Sequence, residues 1–389
     1  MHRNLPRFSI ARALTRSLLL AIALGFLASP PGAAPGPAEA ARKTQPRLVW
    51  PEPPAPARIE FVQTFSSARD FGWKRSLWRR IVDWVKNETD PSILRRPFAV
   101  TVDADGRLII ADTAARDVKI FDPKTKSVSV IRGYRGRHFG VPVSVATDDA
   151  RNIYVADSGA GRVLKFSPQG KFLDFIGGEE GAFQRPASIA FNPANKLLYV
   201  VDTTRPRIFA FAADGRPMLR FGERGDGPAQ FNFPTFIAAD RSGRLFVNDT
   251  LNFRVQVLSP EGKFLYQFGQ AGDGSGNLNR PKGLALDSEG HVYLAEAIFS
   301  TVQVFDGEGR FLVHFGREGT GAGEFYIPAG LAIDRADRIY VADPYRRRVQ
   351  VFQYRPASGE RASSAPSQRK TSEESNLQAH ERFASGGAW

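Results

Sequence analysis

The chain contains no cysteine, which excludes disulfide staples and a lipidated cysteine anchor. Histidine is scarce too: His2, His138, His291, His314 and His380 are the full set in 389 residues. A zinc site needs three or four converging ligands, and this spacing offers no such set, so no metal or cofactor is expected. Nor can a Ser-His-Asp arrangement be argued. The apolar run from Ser17 to Ser29 is too short to span a bilayer comfortably. Four arginines precede it, and Ala38-Glu39-Ala40 follows as a small-x-small cleavage signal. Residues 1–40 therefore read as a secretory signal peptide, and the expected destination is the periplasm or the medium. Residues 41–57 read as a Pro-rich linker without a core of its own, and 353–389 as a polar, disordered tail.

The net charge of +13 is unevenly placed. Residues 1–96 hold 16 basic and 7 acidic side chains, whereas 97–352 hold 32 and 29. A nucleic-acid binder wants a basic stripe on its folded surface, so this distribution argues against a nucleic-acid partner.

What the chain does have is a repeat. A proline followed by a short apolar strand begins at Pro97, Pro142, Pro186, Pro234, Pro281 and Pro328, as in PFAVTVD, PKGLALD and PAGLAID. Fifteen or sixteen residues later an acidic residue closes a second strand: Asp112, Asp157, Asp202, Asp249, Glu296 and Asp343. A third strand such as VQVF and a fourth such as KFLYQFG follow. Four short strands per repeat at a period near 45 residues mark an all-β, six-bladed β-propeller. The last repeat lacks its fourth strand, while RIEFVQTFSS at 58–67 alternates like one. Residues 58–66 are therefore expected to complete blade six and close the ring, placing the propeller at 58–352.

The pattern P-x-G-L-A-x-D, Y-V-A-D, R-V-Q-V-F and G-x-F-L-x-x-F-G resembles the NHL-repeat family of six-bladed propellers over about 97–352. That resemblance implies the fold and little about activity, since such propellers serve as scaffolds, RNA binders, sensors and lyases. The amidating lyases of this fold use metal-bound histidines, for which no set is found here. Lactonase-type propellers imply Glu, Asn and Asp around a calcium. Asn248, Asp249 and Glu296 come nearest, but Asp249 and Glu296 are the strand-closing acids of every repeat.

Those acids are expected to accept N–H groups of the following turn and to pair with the arginine five residues on: Arg162, Arg207, Arg254 and Arg348. The loops GERGDGPAQFNFP, GQAGDGSGNLNRP and GREGTGAGEFYIP lack a following helix and a Walker lysine, so their glycines are read as turn formers. Residues 71–88 have helical periodicity, with Trp73, Trp78 and Trp84 along an apolar side. Such a helix would emerge on the loop face that usually binds ligands. It either packs there as a cap or serves as a lid, a docking arm or a membrane-surface contact. Phe253, Ile298, Phe299, Tyr345, Arg346 and Arg347 fall on adjacent turns of that face, with the aromatic-plus-arginine composition of a protein-binding hot spot. The reading is a protein-binding scaffold of the cell envelope with no catalytic residue assigned. A metal-assisted lyase or hydrolase and a small-ligand sensor are the alternatives.

Overall fold

The computed structural model describes residues 47–73, 90–178 and 183–356. Blade one pairs Pro97–Val102, Leu108–Asp112, Asp117–Asp122 and Ser127–Ile131 in antiparallel order from the axis outward. Four more sheets of the same order start at Pro142, Pro186, Pro234 and Pro281. Second strands such as Ile153–Asp157 and Val292–Glu296 are buried along their whole length, which is why they read as unbroken apolar runs rather than alternating ones. The buried apolar side chains form six clusters, each shared by two neighbouring blades, as a repeat that cannot bury its faces alone requires. The molecule is a six-bladed β-propeller.

The sixth sheet joins the two ends of the ring. Leu331–Ile333, Arg338–Asp343 and Arg348–Tyr354 are followed outward by Ile59–Phe65, running from Ile59 opposite Tyr354 to Phe65 opposite Val349. The register slips between Phe61 and Gln63, leaving Val62 as a bulge. The fourth strands of blades two to five slip at the corresponding residue, skipping Leu173, Met218, Leu265 and Leu312. The closing strand therefore carries the same irregularity as its counterparts. Because side chains alternate with a period of two, one extra residue switches the face that follows it. Ile59 and Phe61 pack with Phe315 and Phe352 against blade five, and Phe65 packs with Phe121 of blade one.

The N-terminal Pro-rich segment departs from expectation. The Pro-rich stretch is docked from Arg47 onward: Val49 and Trp50 pair with Glu60 and Ile59 as a fifth strand. The Trp50 ring lies 5.9 Å from Phe315 and 5.8 Å from Phe352, so an aromatic anchor outweighs the prolines around it. Of the expected helix 71–88, residues 74–89 lie outside the described residues, Trp78 and Trp84 among them. Its first residues are not α-helical. Ala68–Phe71 form a 3₁₀ turn ended by Gly72 in the left-handed region, φ 69°. Trp73 then stacks on Phe71 at 4.9 Å and lies 6.4 Å from Phe121, so this tryptophan packs on blade one.

Phe65 is 1% exposed and serves the seam where the ring closes. Phe65→Ala should cost about 3–5 kcal/mol of unfolding free energy, measured by denaturant titration. A loss below about 1 kcal/mol, the scale of an ordinary surface change, would contradict the closure assignment.

Candidate functional site

The loops that enter each first strand and the turns that leave each second strand share one face, and the strand-closing acids tie them together. Asp157 accepts the backbone N–H groups of Gly140 and Val141, both at 2.7 Å. Asp112 accepts those of Arg95 and Arg96, and Glu296 those of Asn279 and Arg280. Asp202, Asp249 and Asp343 hold Gln184, Asn232 and Tyr326 in the same way. The following turn contributes as expected in several blades, for example Ala115 N–H to Asp112 and Ala160 N–H to Asp157. The loop ahead of the proline, 16–18 residues upstream, was not foreseen from spacing. Burial pushes Glu296 and Asp343 up from their ordinary carboxylate values, with the accepted N–H groups opposing.

Among the described residues the arginine partner is found in two blades. Arg254 meets Asp249 at 2.9 Å and Arg348 meets Asp343 at 3.2 Å. Arg162 instead donates to the Tyr134 hydroxyl at 2.9 Å, and Arg207 is exposed. In blade one the buried Lys119 bridges Asp112 at 3.2 Å and Asp117 at 2.5 Å. At the position of Lys119, blades four to six carry Gln256, Gln303 and Gln350, a signal present in the repeated V-Q-V and passed over. Each glutamine accepts one loop N–H and donates to one loop carbonyl: Gly276 and Asn277 for Gln303, Gly323 and Glu324 for Gln350, Ala229 and Gln230 for Gln256. Three glycine-rich loops are thereby held rigidly beside the mouth of the channel.

Exposed apolar side chains sort by this architecture. Of thirteen large ones among the described residues, Val62, Leu173, Met218, Leu265 and Leu312 are the outer-strand bulges, and Leu48 lies beside the docked Trp50. The other seven, Ile93, Val141, Phe233, Leu251, Ile298, Tyr326 and Tyr345, all belong to the loop face. Ile298 is 52% and Tyr345 50% exposed, whereas Phe253 and Phe299 are half-buried. Arg346 and Arg347 are exposed. Tyr345 receives a hydrogen bond from Arg96 at 2.9 Å and stands 5.7 Å from the Tyr326 ring, which Arg346 covers at 5.1 Å. Arginine and tyrosine thus alternate across blades six and one. Arg96 and Tyr326 were missed because their proximity to Tyr345 is long-range.

The channel itself is constricted. Phe98 of blade one and Phe236 of blade four, on opposite sides of the ring, stack with centroids 6.3 Å apart. Nearby, Gly283 donates to Ala329 O at 2.8 Å and Gly330 to Phe98 O at 2.9 Å, joining the inner strands of blades five, six and one. A Cβ on Gly283 would lie 2.2 Å from the Ala329 oxygen, so glycine is needed for this approach. Among the described residues, no group of three or more His, Cys, Asp or Glu is placed to hold a metal ion. His138 is exposed in the hairpin Gly133–His138, and His314 is exposed on an outer strand.

His291 lies on the opposite face, in a groove of about 440 Å³ shared with Arg58, Glu289 and Tyr354. Its Nδ1 meets Asp287 at 2.8 Å, and Tyr293 donates to the same carboxylate at 3.1 Å. The same turn in blades one, four and six uses arginine: Arg107 with Asp103, Arg244 with Asp240, Arg338 with Asp334. His291 is thus one version of a repeated turn clamp rather than an isolated catalytic group.

A family model described as "6-bladed beta-propeller" (DUF5128) matches residues 283–360. No curated protein matches the chain at a significant level. Several solved structures share the fold. Gluconolactonase XC5397 from Xanthomonas campestris is 15% identical, with a TM-score of 0.53 over 67% of this chain and 88% of that one. An inactive virginiamycin B lyase from Staphylococcus aureus with quinupristin is 13% identical, TM-score 0.52, over 69% and 83%. An auxiliary nutrient binding protein from Bacteroides ovatus is 15% identical, TM-score 0.53, over 68% and 70%. At these identities the likeness is one of fold, spread over proteins of unlike function.

The hydrogen bond to Asp287 raises His291 above its ordinary 6.5, with burial opposing. A group whose pKa rises on folding contributes stability that is complete below the unfolded value and lost as pH climbs through the folded one. Thermal stability should therefore fall as pH rises from below 6.5 through the raised His291 pKa. His291→Arg, which restores the clamp of the other blades, should flatten that decline. Parallel pH profiles for the two chains would refute the clamp.

Proposed function

We propose that the chain is an exported, NHL-type propeller that binds a protein partner of the cell envelope through its loop face. One observation carries this reading: among the described residues, once the outer-strand bulges are set aside, the remaining large exposed apolar residues, except Leu48, fall on that face. Apolar and arginine–tyrosine groups gathered on one side of a rigid ring have the make-up of an interface centre. Ile298, Tyr345, Arg346 and Arg347, with Phe253 and Phe299 half-buried beneath them, supply the contact. The stacked Phe98 and Phe236 favour binding at the mouth over passage through the channel. Export rests on the signal-like sequence of residues 1–40.

Photo-crosslinking in living cells tests the reading. A probe at Ile298 or Tyr345 should give a discrete adduct with an envelope protein. A probe at Leu265, 46% exposed on the outer rim, should give none. Ile298→Asp combined with Arg346→Glu should abolish the adduct. Equal labelling from all three positions, or crosslinks confined to this chain, would defeat the proposal.

A further inference from the structure

The residue after each repeat proline is Phe98, Val143, Ala187, Thr235, Lys282 or Ala329, second in the innermost strand of blades one to five and just ahead of Leu331–Ile333 in blade six. From this position the Phe98 ring reaches into the channel to meet Phe236 of blade four. Among these six residues Lys282 alone is charged. It is largely buried, and no hydrogen bond or ion pair is recorded for its ammonium group among the described residues. The carboxylate acting on it, Glu296, is already committed to the N–H groups of Asn279, Arg280 and Ile298. Arg280 adds a second positive charge nearby.

A second departure from the repeat meets the first. Where the other blades have Ala111, Ala156, Val201, Ala295 and Ala342, blade four has Asn248, fully buried. Its Nδ2 donates to the Lys282 carbonyl, fixing the strand residue that bears the ammonium group, and its Oδ1 has no partner. Two polar residues that break an otherwise apolar pattern are thus joined across one blade interface. Beside them, the hydroxyls of Thr235 and Thr250 are 2.6 Å apart. One proton is used between the two, which leaves the other free to donate.

We infer that Lys282, held by Asn248 and flanked by Thr235 and Arg280, forms an oxyanion-binding site at the channel mouth, near the level of Phe98. An unpaired, desolvated ammonium group is unfavourable, and an entering carboxylate or phosphate offsets that cost with charge-assisted hydrogen bonds. Burial and Arg280 lower the Lys282 pKa in the free protein, so a bound anion should draw it back toward the usual lysine value. The site does not depend on a protein partner.

The test is NMR of the full chain with its lysines reductively ¹³C-methylated, titrated with acetate or inorganic phosphate at constant ionic strength set by chloride. The Lys282 signal, identified by its loss in Lys282→Arg, should shift saturably and titrate at higher pH when anion is present. A response to acetate alone assigns a carboxylate ligand, and one to phosphate alone a phosphoryl ligand. Asn248→Ala should weaken the apparent affinity by about tenfold, the scale of the one hydrogen bond that positions Lys282. No saturable shift with either anion, or equal shifts of all lysine signals, overturns the site. Lys282→Met gives a second readout: anion-dependent thermal stabilisation of the native chain should vanish in it, and its persistence overturns the site too. Crosslinking from Ile298 should survive Lys282→Met, so failure of either proposal is told apart from failure of the other.

Discussion

Everything in this molecule depends on the pairing of Ile59–Phe65 with Arg348–Tyr354. A propeller blade is a twisted sheet with two apolar faces, and only its neighbours can cover them. The closing strand supplies side chains to both flanking interfaces because the bulge at Val62 turns Phe65 toward blade one while Ile59 and Phe61 face blade five. The docked Val49–Trp50 segment covers the edge that this strand leaves, as edge strands in soluble proteins require.

On that closed ring the buried carboxylates perform a second task. Each removes between one and four loop N–H groups from solvent competition at a point where the chain reverses. The glutamines of blades four to six then fix the adjacent glycine-rich loops from the side. The result is a face whose shape is set before any partner arrives. Preorganisation of this kind lowers the ordering cost of association and suits a recognition surface. The same rigidity holds Lys282 and Asn248 in place at the channel mouth, whatever occupies the loops above them.

The period, the strand order and the closing strand were legible because they are local patterns repeated six times. Less legible was whatever depends on three-dimensional neighbours. Trp50 was absorbed into a Pro-rich linker because composition averages over a window, whereas one indole finding Phe315 and Phe352 decides the outcome. The partners of the strand-closing acids were placed in the following turn, yet most N–H groups come from the loop before the proline, which spacing alone cannot rank. Arg162 and Arg207 share the register of Arg254 but not its ion pair, since repeat position fixes the backbone and not the rotamer. On the loop face, Ile298 and Tyr345 stand out as exposed, while Phe253 and Phe299 turn partly inward.

Native-state hydrogen exchange measures the central claim most directly. If the ring is closed through blade six, the amides of Phe61–Phe65 should exchange only with global unfolding, at the same free energy as those of Leu198–Asp202 in blade three. Exchange of Phe61–Phe65 at markedly lower free energy, with blade three still protected, would show that the terminal strand is an appendage and that the ring stands without it.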